Sequence, residues 1–164
     1  GSRGSVIPFF MEQKARGEIP ITDPRMTRFW ITLDQGVELV LSSLERMSGG
    51  ESFVPKIPSM NILDLAEAIA PGVPTRVVGI RPGEKLHEIM VPEDDARHSL
   101  EFPDRFVICP FFSSQDLSDF QQRLGGVPCP EGFQYASNTN SQWLSLEDLR
   151  QLLASGAATG MVAP

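Results

Sequence analysis

Two arginines and a glutamate offer the plainest chemistry in this sequence. Arg28 sits in Met26-Thr27-Arg28-Phe29-Trp30-Ile31-Thr32, which reads as a short strand. Thr27, Phe29 and Ile31 fall on one face; Arg28, Trp30 and Thr32 fall on the other. An arginine in so apolar a strand needs an anionic partner, from the protein or from a ligand, because an unpaired charge in a low-dielectric site is costly. Arg81 follows a second β-branched run, Thr75 to Ile80, and opens the turn Arg81-Pro82-Gly83-Glu84. That is the carboxyl end of a strand, where open α/β sheets place ligand groups. Two guanidinium forks suit the spread charge of a diphosphate, each well-made charged hydrogen bond being worth roughly 1.5 to 3 kcal/mol. Glu84, three residues on, could accept hydrogen bonds from a ribose diol. An internal Arg81–Glu84 salt bridge that shapes the turn is the alternative.

The elements that must position these groups alternate between helix and strand. Ser5 caps an apolar helix with Pro8 in its first turn, and Gly17 ends it. The preceding Gly1-Ser2-Arg3-Gly4-Ser5 could present backbone N–H groups and Arg3 to an anion. Glu18 to Asp23 is an extended run that Pro20 assigns to a sheet edge or a two-stranded piece. Thr32-Leu33-Asp34-Gln35 is a capping box, followed at helical spacing by Leu33, Val37, Val40, Leu41, Leu44 and Met47 up to Gly49-Gly50. This stripe is expected to be core. Ser52 to Ile57 reads as a strand, and Ser59 as the cap of a helix burying Ile62, Leu65, Ala66 and Ile69. Leu86, Ile89 and Met90 suggest a short helix. Residues 92–104 read as an exposed loop, Arg105 to Pro110 as a strand, and 111–142 as irregular. Ser145-Leu146-Glu147-Asp148 caps a last helix, and the tail is expected to be disordered. The pattern is α/β with parallel strands.

The bulk numbers narrow the function classes. A chain of 164 residues with 41% hydrophobic and 21% charged residues suits a soluble globular domain with its own core. No apolar run approaches the roughly 20 residues of a membrane span. The net charge of −7 argues against nucleic acid or an anionic membrane as partner. Its distribution is uneven: residues 1–30 carry +2 and the remainder −9. Cys109 and Cys129 fit a reducing, cytoplasmic setting better than a disulfide framework or a zinc site. His87 and His98 have no partner at metal-ligand spacing, and Glu93-Asp94-Asp95 lacks the spacing of a calcium loop. A nucleophile elbow and a glycine-rich dinucleotide fingerprint are both absent.

Four ordered blocks carry a resemblance: residues 1–10, 21–32, Phe53 to Ser59, and Gly79 to Glu88. They closely resemble the inverting UDP-N-acetylglucosamine 4,6-dehydratases, which are extended short-chain dehydrogenase/reductase proteins. Glu131-Gly132-Phe133, Tyr135, Ser137 to Asn140 and Trp143 to Ser145 resemble the C-terminal extension of the same family. The resemblance implies that this chain is the C-terminal half, with the N-terminal dinucleotide-binding half missing. Residues 1–110 are then the substrate-binding half with the last strands and helices of a Rossmann-like sheet, 111–156 the family extension and 157–164 a tail. It implies that Arg28 and Arg81 hold the UDP diphosphate and that Glu84 holds the ribose. Ile19, Pro20, Ile21 and Thr22 line the uracil, while Arg3, Gly4 and Ser5 lie near the sugar and diphosphate. The intact enzyme uses NADP; this chain alone is expected to bind none fully, to carry no catalytic residue and not to turn over. Exposed apolar surface is expected to favour the missing half or a homo-oligomer. A non-catalytic interaction module and part of a 4-epimerase are the alternatives.

Overall fold

The computed structural model describes residues 6–110 and 116–155. In chain order the elements are α1 (Val6–Lys14), β1 (Ile19–Ile21), β2 (Thr27–Phe29), α2 (Leu33–Arg46), β3 (Ser52–Pro55), β4 (Ser59–Asn61), α3 (Ile62–Ile69) and β5 (Thr75–Val77). There follow β6 (Ile89–Val91), α4 (Glu93–Ala96), β7 (Ser99–Glu101), β8 (Arg105–Ile108), α5 (Leu117–Leu124), β9 (Val127–Pro128), β10 (Tyr135–Ala136) and α6 (Leu146–Ala154). They form two compact units. Among the described residues, one holds 6–35, 57–88 and 137–155; the other holds 36–56, 89–110 and 116–136.

In the first unit the core gathers Ile7 and Phe10 from α1, Ile19 and Ile21 from β1, Trp30, Met60, the inward face of α3 and Leu149 of α6. The α3 stripe of Ile62, Leu65, Ala66 and Ile69 is buried as its spacing requires. Its cap differs from expectation. Ser59 belongs to β4, which pairs antiparallel with β2, and Asn61 caps the helix by accepting the Leu63 amide at 2.8 Å. The expected strand 26–32 is only Thr27–Phe29, so the alternation of faces stops there and Trp30 is buried at 1% exposure. The expected two-stranded piece is present as β1 paired parallel with β5. It is the single parallel pair among the described strands; the others are antiparallel, against the parallel sheet expected. Ser145 and Asp148 close a capping box at the start of α6.

The second unit is built on an antiparallel sheet ordered β3-β8-β7-β9, with Leu100, Cys109 and Phe120 packed together. Here the sequence reading is corrected in three places. Residues 92–104 are no exposed loop: α4 and β7 lie there, with Ala96, Ser99 and Leu100 buried. The run 111–142 contains α5, β9 and β10, and α5 opens on a capping box between Asp116 and Asp119. Ile89 and Met90 belong to the strand β6, paired with β10, not to a helix.

The helix α2 starts where its sequence predicts. Thr32 and Gln35 make the predicted capping box, with the Thr32 amide donating to Gln35 Oε1 at 2.9 Å. Its apolar stripe is not core: Leu33, Val37, Val40, Leu41, Leu44 and Met47 are each between 44% and 61% exposed. Spacing reveals that a face requires cover, not that this chain supplies it.

Candidate functional site

The first unit gathers the predicted groups along one stretch of chain, residues 78–88. At its start the Val78 and Gly79 amides donate to the carbonyls of Ile21 and Thr22. At its end Leu86 O accepts the Thr27 amide at 3.2 Å. The stretch is thereby tied to β1 on one side and β2 on the other. Gly79 and Gly83 take positive φ, 88° and 86°, and so permit two sharp reversals that a side chain would strain.

Glu84 stands at the centre of this stretch. One carboxylate oxygen accepts the Arg81 backbone amide at 3.1 Å, closing the turn; the other lies 3.4 Å from Thr22 Oγ1. No Arg81–Glu84 ion pair occurs among the described residues, and the exposed Arg81 guanidinium has no partner there. In β1, Ile19 and Ile21 are buried in the core and Pro20 is half-buried, as is Thr22 just after the strand. Arg3, Gly4 and Ser5 lie outside the described residues.

Arg28 finds its partners within the protein. Nη1 donates to the carbonyls of Thr27 (2.7 Å) and Leu86 (3.2 Å), while Nη2 donates to Lys85 O (2.9 Å) and Met26 Sδ (3.0 Å). Nε faces Glu88 Oε1 at 3.6 Å. A guanidinium has five N–H donors, and here each faces an acceptor. Glu88 was not anticipated as the partner, because sixty residues separate the two. Its other oxygen accepts the Phe29 amide at 2.7 Å. Burial pushes the Glu88 carboxyl above its usual range, against the opposing pull of the Phe29 amide, Arg28 and Lys85.

A buried hydroxyl pair beside Arg28 also escaped the sequence reading. Thr27 Oγ1 lies 2.8 Å from His87 Nδ1 and 2.7 Å from Ser137 Oγ, and Ser137 Oγ accepts the Glu88 amide at 2.9 Å. His87 is thus a hydrogen-bonded histidine. Among the described residues no group of histidines, cysteines and carboxylates could hold a metal ion, and no helix is long and apolar enough to cross a membrane.

The described residues comprise a parallel strand pair, flanking helices and a tight turn after a strand. They define a mixed α/β chain that is part of a Rossmann-like arrangement. A profile of the polysaccharide biosynthesis protein family matches residues 1–110, and the chain belongs to that family. It is 51% identical over 159 residues to a UDP-N-acetylglucosamine 4,6-dehydratase (inverting) of Campylobacter jejuni, with 93% of this chain and 48% of that protein covered. A UDP-glucose 4-epimerase of Rickettsia canadensis is 34% identical over 157 residues, covering 93% of this chain and 46% of that one. Among solved structures, Pen from Bacillus thuringiensis superposes with a TM-score of 0.74 at 30% identity, over 94% of this chain and 46% of that chain. The chain spans about half the length of the curated relatives it matches.

Proposed function

We propose that this chain is the UDP-sugar-binding, C-terminal portion of a nucleotide-sugar 4,6-dehydratase. The reaction would take UDP-N-acetylglucosamine to a 4-keto-6-deoxy sugar nucleotide with inversion at the fifth carbon. The observation that carries the reading is the 78–88 stretch, which sets Thr22, Glu84 and the exposed Arg81 against β1 and fastens Arg28 at its other end. Arg81 is the cation available to a diphosphate. Arg28 holds the stretch in shape through Lys85 O and Leu86 O, and it can exchange those neutral acceptors for charged phosphate oxygens, which bind a guanidinium more strongly. Glu84 keeps one oxygen in a long contact, which a ribose diol can replace. The dehydratase reading is favoured over the 4-epimerase by 51% against 34% identity.

The oxidising cofactor of such an enzyme, NADP, is assigned to the other half of the protein, together with the proton-transfer groups. The exposed apolar face of α2 supports the need for that half as a covering partner. Calorimetry with UDP tests the binding half of the reading: heat is expected for this chain, lost in Arg81→Ala. Adding the nucleotide-binding half of a family enzyme in trans tests the rest. Restored dehydration of UDP-N-acetylglucosamine is expected; silence in both experiments sinks the proposal.

A further inference from the structure

The second unit contains a cavity of about 360 Å³ lined by Arg46, Phe53, Phe102, Arg105, Val107 and Arg123, among others. Three of this unit's five lysine and arginine residues thus line one hollow, in a unit that is otherwise acidic. The arginines are not equivalent. Arg123 is paired with Glu51 at 2.9 Å and lies over the Phe120 ring. Arg105 is only 6% exposed; its Nε and Nη2 donate to Asp104 Oδ2, and Nη2 also to Ser42 Oγ at 3.0 Å. Its Nη1 is buried and has no hydrogen-bond partner among the described residues. Arg46, exposed at the end of α2, forms no ion pair within 4.0 Å among them, although its charge helps to hold the Asp104 carboxyl below its usual range.

Buried guanidinium donors are almost always satisfied, so an orphan beside a hollow requires a reason. Two carboxylates, Asp104 and Glu51, offset two of the three charges. One net positive charge remains among the groups that line the cavity together with Phe53, Phe102 and Val107. We propose that this cavity is a binding site for a small organic anion: one carboxylate or phosphate head, set against Arg105 and Arg46, on an apolar body lying against Phe53, Phe102 and Val107. The site belongs to the second unit alone and does not rest on the UDP-sugar reading.

The test is a titration of the isotope-labelled full chain, read in amide and arginine Nε signals. The probes are phenyl phosphate, benzoate, inorganic phosphate and the neutral benzyl alcohol. Phenyl phosphate or benzoate is expected to bind saturably, shift the Arg105 and Arg46 signals, and outcompete inorganic phosphate; which of the two binds tighter identifies the head group. Arg105→Met is expected to abolish binding. Because that substitution also strips Asp104 of its partner, Arg46→Gln, at an exposed position, is the second variant, with affinity expected to fall roughly tenfold. The proposal is overturned if neither anion shifts those signals, if benzyl alcohol binds as well as the anions, or if Arg46→Gln binds them unchanged.

Discussion

Arg28 Nε and Glu88 Oε1 stand 3.6 Å apart, and this pair joins β2 to the end of the 78–88 stretch. The carboxylate is the vulnerable member, because burial raises its pKa above the ordinary 4.5. Between 4.5 and that raised value the native state binds more protons than the unfolded chain. Glu88 therefore makes stability fall as pH rises through its folded pKa, and the full benefit is present only below the unfolded value. Glu88→Gln removes this dependence. Thermal melts from pH 4 to pH 7 are expected to show the melting temperature of the variant, relative to the parent, climbing with pH. A constant or falling difference contradicts the assignment.

The two arginines of the proposed diphosphate site are expected to separate cleanly in stability. Arg28→Ala strips the Lys85 carbonyl of its donor, leaves Leu86 O with the Thr27 amide alone, and leaves Glu88 without its cation. A loss of about 2 to 4 kcal/mol is expected in urea denaturation. Arg81→Ala removes an exposed side chain and is expected to stay within about 0.5 kcal/mol of the parent. UDP binding distinguishes them differently, since Arg81→Ala is expected to lose it with the fold intact. Equal destabilisation by both substitutions is the contrary result.

Thr27→Val tests the buried hydroxyl pair. The substitution keeps shape but deprives His87 Nδ1 and Ser137 Oγ of a shared partner. The expected cost is about 1 to 3 kcal/mol, chiefly the desolvation of His87 Nδ1, since Ser137 Oγ keeps the Glu88 amide and the Thr27 carbonyl. Thr27→Ser, which keeps the hydroxyl, is expected to recover most of it. If the serine variant is as unstable as the valine one, packing and not hydrogen bonding explains the loss.

Asp23 titrates at the opposite extreme. Arg25 Nε and Nη2 and the Arg25 amide all donate to its carboxylate at 2.8 to 3.0 Å, which brings its pKa down from 3.8 to about 2. Stability from this group is present above 3.8 and is lost as pH falls toward 2. Carboxyl-detected NMR is expected to find its midpoint at about 2, moving up toward 3.8 in Arg25→Ala. A midpoint insensitive to that substitution contradicts the pairing.

What was legible in the sequence was what local chemistry decides. The Thr32–Gln35 and Ser145–Asp148 boxes, the α3 stripe and the strand character around Pro20 were all readable, because neighbours three or four residues apart determine them. Position 116 carried the same kind of signal, since Asp116 and Asp119 cap α5, yet the surrounding glycines and prolines hid it. The charged run Glu93-Asp94-Asp95 likewise hid β7, whose Ser99 and Leu100 are buried by a pairing with β8 that only the tertiary fold makes. In the candidate site Arg28, Arg81 and Glu84 announced themselves by type and setting. Glu88, Thr27 and Ser137 did not, because the links among them reach across up to 110 residues.

The face that α2 leaves to solvent is apolar. Val40, Leu41 and Leu44 are each more than half exposed, though their spacing is that of a buried stripe. An apolar face of this kind drives association in water. Replacing Val40 and Leu44 by lysine removes apolar side chains that pack on little in this chain, so the melting temperature is expected to stay within about 2 °C of the parent, as for other surface changes. Sedimentation is expected to show less self-association at equal concentration. The same double variant is expected to fail to assemble with an added nucleotide-binding half, while its UDP heat is retained because the 78–88 stretch is untouched. If the double lysine variant unfolds, the stripe is core after all; if it assembles normally, the covering partner lies elsewhere.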